Sequence, residues 1–209
     1  MENKFYSQVG QDKWVCDWFK YKRNGYFLDV GAADGITISN TYYLEKELGW
    51  EGICVEALKV NYDKLLINRK CNIAHNAAYN KNKTVYFLGD GNDNLGGHIA
   101  NSDNYTESVE AIRLEEILKK YNSPKIIDYV SLDIEGNEVE ALLGFPFSEY
   151  EVVLWTIEHN LHGGVNGRLL KANIMNIMHK NGYKIVKENV GTSPFYPMED
   201  WYAHEKYIK

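Results

Sequence analysis

The stretch Phe27-Leu-Asp-Val-Gly-Ala-Ala-Asp-Gly35 decides the fold. Tyr26 to Val30 is a short apolar run, and it passes at once into a turn of small residues. Such a run, closed by glycine, predicts a buried parallel strand followed by the turn that starts a helix. Gly31 permits the tight turn, and Gly35 lets the backbone come close to a ligand. Ser39 or Asn40 is placed to cap the next helix, through Tyr43, Leu44 and Leu48, which stops at Gly49.

Working outward, the alternation repeats. Gly52 to Glu56 reads as a second strand. Leu58, Tyr62, Leu65 and Leu66 follow at helical spacing, and Asn72–His75 and Val85–Leu88 are further strand candidates. The segment Gly89 to Asn104 has no period and reads as a loop. Leu114, Ile117, Leu118 and Tyr121 predict a helix, Tyr129 to Asp133 a strand, and Glu138 to Leu143 a short helix ended by Gly144. Val152 to Ile157 is a strand, and Leu169 to Met178 lies on a helix ending near Gly182. Upstream, residues 1–25 form a helical cap segment carrying Trp14, Val15, Trp18 and Phe19. Downstream, Tyr183 to Tyr207 reads as two strands joined around Gly191 to Pro197. The expected fold is α/β: a doubly wound, mostly parallel sheet with a C-terminal antiparallel hairpin.

The 209 residues suit one domain covering 1–209. The formal net charge of -6 argues against a broad nucleic-acid footprint, which needs basic residues to displace counterions. Cys16, Cys54 and Cys71 form neither a disulfide framework nor a zinc-ligand spacing. The N-terminus has no apolar signal region, and no run of about 18 apolar residues exists to span a membrane. A cytoplasmic location is the simplest expectation.

Ligands of such sheets sit beyond the carboxyl ends of the strands. That points to Gly31–Gly35, Glu56, Asp133–Glu138 and Glu158–Asn160. Glu56 stands about 25 residues after Gly31, where Rossmann-like folds place an acid on ribose hydroxyls. A dinucleotide turn wants a third small-residue pattern, Gly-x-Gly-x-x-Gly, to seat a pyrophosphate. Here Ala33 takes the middle glycine's place, and the Asp34 carboxylate would repel phosphate. S-adenosylmethionine carries a sulfonium and an ammonium instead, and Asp29 and Asp34 are compatible with those cations. The competing reading is an ordinary strand-to-helix turn with a solvent-facing aspartate.

Phe27–Gly35, Ser39-Asn-Thr-Tyr-Tyr-Leu-Glu45, Gly49–Ala57, Ser131-Leu-Asp-Ile-Glu-Gly-Asn-Glu138 and Ile157-Glu-His-Asn160, with Tyr6–Asp12 at the start, resemble the FkbM family of methyltransferases. The resemblance implies a class I, Rossmann-like fold with a seven-stranded sheet, and O-methylation, often of sugar hydroxyls. By it, Asp29, Gly31, Ala32, Gly35 and Glu56 hold S-adenosylmethionine, Ala77 and Ala78 lie near the adenine, and Gln8 extends to the site. Some relatives are domains of larger glycan-building polypeptides, viral ones included, so association with glycosyltransferases belongs to the expectation.

Methylating a hydroxyl needs a base, a metal that lowers the hydroxyl pKa, or both. Asp133 and Glu158 end adjacent parallel strands, and with His159 they make a candidate set for magnesium or manganese. Glu135 and Glu138 are candidate active-site acids, although carboxylates also favour helix starts. His159 is the leading base candidate, with a core histidine as the alternative; His162 and His98 rank below it. Phe195, Tyr196, Trp201 and Tyr202 either stack on a sugar ring or pack the tail. The expected acceptor is a glycan or glycoside hydroxyl, with a deoxyhexose such as rhamnose or fucose in view. A phenolic or polyketide acceptor, or a non-catalytic binding module, are the alternatives.

Overall fold

The computed structural model describes residues 4–88, 98–99, 107–161 and 164–209. In chain order the elements are α1 (Gln11–Trp18), β1 (Tyr26–Val30), α2 (Tyr42–Leu48), β2 (Glu51–Glu56), α3 (Lys59–Asn68), β3 (Asn72–His75), β4 (Ala77–Ala78), β5 (Lys83–Leu88), β6 (His98–Ile99), β7 (Glu107–Ile112), α4 (Leu114–Lys120), β8 (Ile126–Leu132), α5 (Glu138–Leu143), β9 (Glu151–Glu158), α6 (Val165–Lys180), β10 (Tyr183–Ser193) and β11 (Tyr196–His204). A 3-10 turn at Glu205–Tyr207 follows.

Seven strands form the main sheet in the order β10-β11-β9-β8-β1-β2-β3. The run from β9 to β3 is parallel, and β11 runs antiparallel to both β9 and β10. The C-terminal hairpin thus closes the sheet with one reversed strand, as the sequence pattern predicts. Strand alternation sends successive side chains to opposite faces. Leu28 and Val30 of β1 join the core shared with α4, α5 and α6, through Leu118, Ala141 and Ile174. Phe27 joins the opposite core with Val15 of α1, Leu44 of α2 and Leu65 of α3. Both faces are therefore covered, which is why β1 and β8 read as nearly continuous apolar runs.

The sequence expectation contains no second sheet, although the Val85–Leu88 strand candidate is part of it, as β5. Four strands in the order β4-β7-β5-β6 cover a small core of Ala77, Val85, Phe87, Val109 and Ala111. The segment Gly89 to Asn104 is not wholly loop, because His98–Ile99 pairs with β5. The N-cap of α2 is Thr41, not Ser39 or Asn40. The Ser39 hydroxyl still accepts the Tyr42 amide at 3.1 Å, while the Thr41 hydroxyl turns inward to donate to Asp29. Gly49 ends α2 with φ 68°, the left-handed conformation expected of a glycine stop. No described helix is long and apolar enough to cross a membrane.

Candidate active site

Strand register builds the site. Val55, Val30, Leu132 and Ile157 are matched across β2, β1, β8 and β9. The next residue of each strand, Glu56, Gly31, Asp133 and Glu158, therefore falls in one row along the carboxyl rim. Strands sit about 4.8 Å apart in such a sheet, so neighbours in the row lie within reach of one ligand. The antiparallel partner of Glu158 is Glu199, which extends the row.

The turn after β1 is held by close backbone packing. Gly31 has φ 87°, and a Cβ there would collide with the Asp133 carbonyl. Gly35 has φ 80° and lies against Leu65 and Arg69. The turn amides are taken by the chain's own carboxylates. Ala33 donates to Glu56 Oε2 at 2.8 Å, and Ile36 and Thr37 donate to Asp34 Oδ1 at 2.9 and 2.7 Å. These amides are not free to cradle a pyrophosphate, which agrees with the exclusion of dinucleotides. Burial works against the Asp34 charge, but these bonds and the Thr37 hydroxyl hold its carboxyl below the usual range. Asp34 therefore caps its own turn and lines neither of the two chambers at the rim.

Asp29 is buried, which raises its carboxyl above the ordinary range, while the Arg69 charge and the Thr41 hydroxyl oppose that rise. Arg69 braces the turn from behind. Its guanidinium donates to the Gly35 carbonyl at 3.2 Å and the Thr41 hydroxyl at 2.9 Å, and it pairs with Glu45. The sequence gives no signal for this brace, since Arg69 lies beyond α3, far along the chain.

Two chambers open on the rim. The first has an apolar wall of Val30, Val55, Leu58, Ala77, Ala78 and Phe87, with Glu56, Asn61, Asn76 and Asn137 as polar groups. The second is lined by Gln8, Asp29, Ala32, Asn40, Glu158, Asn160 and Tyr196 among others. Gly31, Asp133 and Glu135 line both. Gln8 is brought there by a bend in the N-terminal segment, where buried Asp12 accepts the Tyr6 and Ser7 amides at 2.6 and 3.2 Å. Glu56 is buried with both oxygens bonded, to the amides of Ala33 and Leu58, and burial pushes its carboxyl up to about 7.

Asp133, Glu135 and Glu158 each present a carboxylate oxygen, all within 4.8 Å of one another. Burial raises the carboxyls of Asp133 and Glu158, and the Asp133 charge raises Glu158 further. Asn160 donates to Glu158 Oε2 at 2.8 Å. Glu135 reaches the cluster because its backbone takes φ 56°, followed by Gly136 at φ 102°.

Glu138 is fully buried and lines neither chamber. Its Oε1 accepts the amides of Ile134 and Gly136 at 3.0 and 3.1 Å, the residues on either side of Glu135. In this position Glu138 fixes the turn that presents Glu135. Burial pushes its carboxyl up to about 7.

His159 is not one of the three residues of that cluster and stands apart from the second chamber's lining. It is buried to 1% exposure, its Nδ1 accepts the Leu161 amide at 3.2 Å, and its Nε2 lies 3.3 Å from Asp200 Oδ1. The ring lies behind the rim, while Glu158, one residue earlier, faces the chamber; adjacent residues at a strand end point to opposite sides. His162 and the His98 side chain lie outside the described residues. Of the tail aromatics, Trp201 and Tyr202 are core residues, Tyr196 lines the second chamber, and Phe195 is 93% exposed. Glu199, which the sequence reading missed, is buried, accepts from the Trp201 indole, and has its carboxyl pushed by burial to about 8.

Comparison with known proteins places this geometry. The model of the methyltransferase FkbM domain matches residues 29–185. No curated protein sequence matches the chain. Among solved structures, methyltransferase FkbM from Methylobacillus flagellatus KT superposes with TM-score 0.56 at 13% identity, over 86% of this chain and 43% of that one. Cofactor-bound Rv0187 from MTB gives TM-score 0.56 at 10% identity, over 97% and 83% of the two chains. Fibrillarin from Aeropyrum pernix, solved with natively bound S-adenosyl-L-methionine, gives 0.52 at 14%, over 88% and 67%. At these identities the likeness establishes the Rossmann-like fold. The chain spans less than half the length of the Methylobacillus protein. The family match covers three quarters of the sequence, and on it the chain belongs to the FkbM family of S-adenosylmethionine-dependent methyltransferases.

Proposed function

We propose that this chain is an S-adenosylmethionine-dependent O-methyltransferase acting on a sugar hydroxyl of a glycan or glycoside. The observation that carries the proposal is the meeting of two chambers at Gly31, Asp133 and Glu135. The first suits the cofactor. Its apolar wall and asparagines fit an adenine, Glu56 stands at the ribose position, and Gly31, where a Cβ would strike the Asp133 carbonyl, lets the ends of β1 and β8 close together between the chambers. When bound, the cofactor supplies a methyl group on a sulfonium. The second chamber carries amides from Gln8, Asn40 and Asn160 beside its carboxylates, a lining suited to a polyol more than to a phenol.

The chain's own work is to orient the acceptor hydroxyl and take its proton. With His159 and Glu138 turned away, that role falls to Asp133, Glu135 and Glu158. Asp133, half-buried, and Glu158, buried, are close enough that both do not stay charged unless a proton or a cation joins them. The same three side chains form an all-oxygen set that suits magnesium or manganese, which would lower the hydroxyl pKa and fix its direction. The whole protein is expected to work beside glycosyltransferases, on carbohydrate and not on nucleic acid.

Incubating the chain with labelled cofactor and a glycoside panel tests the reading; transfer to amines or RNA and to no sugar would overturn it. Calorimetric titration of magnesium into wild type and Glu135→Ala tests the cation. Binding should be lost in the variant, and activity should fall on chelation and return with magnesium. Full turnover after exhaustive chelation would leave the carboxylates acting as base alone.

A further inference from the structure

We infer that the second chamber selects an uncharged acceptor and rejects one bearing a phosphate or carboxylate near the reacting hydroxyl. This rests on reading that chamber as the acceptor side, and it adds the charge class of the substrate. Asp29, Asp133, Glu135 and Glu158 all line the chamber, and no lysine, arginine or histidine stands among its described lining residues. Two cations at this end of the sheet are committed elsewhere. Arg69 lies behind Asp29, bonded to Glu45 and Thr41. Lys171 pairs with Glu188 at 2.8 Å and lies 3.4 Å from Asp200. The stretches 89–97, 100–106 and 162–163, outside the described residues, contain no lysine or arginine.

The neutral groups fit the same conclusion. Gln8, Asn40 and Asn160 offer amides, which bond hydroxyls without demanding a charge. Ile38 is a lining residue left 42% exposed, in a left-handed conformation at φ 50° that a β-branched side chain rarely takes. A chamber built to hold phosphate would place a cation at such a rim position. At an effective dielectric of about 20, a fixed anion about 8 Å from one carboxylate binds roughly 30-fold more weakly. A proton shared by Asp133 and Glu158, or a divalent cation on the cluster, reduces the charge of the four carboxylates without reversing it.

The test uses the full chain, S-adenosylmethionine and matched sets of three acceptors: methyl hexosides, their 6-phosphates and the corresponding hexuronates. kcat/KM is measured with and without magnesium, at low and high salt. The neutral member of a set should lead both anionic members by about 30-fold or more at low salt, and the gap should narrow as salt screens the field. Ile38→Lys should raise the efficiency of the phosphate relative to the neutral sugar by about 5-fold or more, through attraction across the chamber mouth. An anionic acceptor that matches or beats its neutral partner overturns the inference while leaving sugar methylation standing. An Ile38→Lys ratio equal to wild type overturns it as well. No transfer to any member, from a chain that binds the cofactor, overturns the sugar reading and the inference with it.

Discussion

The two chambers are built by different means. The first is shaped mainly by backbone: Gly31 pressed on the Asp133 carbonyl, the turn amides tied to Glu56 and Asp34, and Ala77 and Ala78 forming a short strand beneath. The second is assembled from six separate segments, around Gln8, Asp29–Ala33, Thr37–Asn40, Ser131–Glu135, Glu158–Asn160 and Tyr196–Met198, with most of its polar groups on side chains. A backbone-built cavity is dictated by local motifs and tolerates no added atoms. A side-chain-built cavity changes with each substitution, and on the proposed function this is where acceptor choice would be set.

The difference can be broken by substitution. Gly31→Ala should have the largest effect, because the new Cβ meets backbone and cannot be accommodated by a rotamer change. Calorimetry with the product cofactor S-adenosylhomocysteine should show at least about 100-fold weaker binding, in line with overpacking costs of a few kcal/mol; unchanged affinity would remove the turn from the donor site. Asp133→Asn and Glu158→Gln should separate the chambers. Turnover should fall by about 100-fold or more while cofactor affinity moves less than about 3-fold, as expected when a general base is lost. Glu56→Ala should do the reverse, weakening cofactor affinity by about 10-fold through the lost bonds, with a smaller effect on kcat at saturation.

His159→Ala sharpens the contrast further. The ring is packed behind the rim against Asp200, so the expected cost is stability, about 1–3 kcal/mol by chemical denaturation, with kcat within a few-fold of wild type. A 100-fold loss of kcat in a folded variant would return His159 to the chemistry. The smallest effect concerns pH. Glu138 has its folded-state carboxyl raised from 4.5 to about 7 by burial. Its contribution to stability is thus fully present below the unfolded value and is lost as pH rises through about 7. Glu138→Gln keeps an acceptor oxygen for the Ile134 and Gly136 amides and removes the titration. The variant should lose on the order of 1–3 kcal/mol less stability than wild type between pH 5 and 8, measured by denaturant midpoints.

The same contrast explains what was legible in the sequence. Phe27 to Gly35 and Glu56 carry their meaning locally, so the main sheet and the turn after β1 could be read from strand runs, glycines and one acid. The rim of the second chamber could not. β9 is buried on both faces, so no alternation in Val152 to Ile157 tells which of Glu158 and His159 turns toward the chamber. Glu135 joins the cluster through a left-handed backbone held by Glu138, a contact invisible in composition. The strand Glu107–Ile112 was hidden because only Val109, Ala111 and Ile112 are buried, while Ser108 and Glu110 are exposed and Glu107 is half-buried. Arg69 and Glu199 became part of the site's support through tertiary packing alone.

The central claim is that methyl passes from the first chamber to an oxygen in the second across Gly31 and Asp133. Mass spectrometry of neutral glycosides incubated with the chain and S-adenosylmethionine tests it most directly. The account predicts one methyl ether per acceptor, lost in Asp133→Asn although that variant still binds S-adenosylhomocysteine. A wild-type chain that binds the cofactor product yet forms no methyl ether on any neutral glycoside would contradict it.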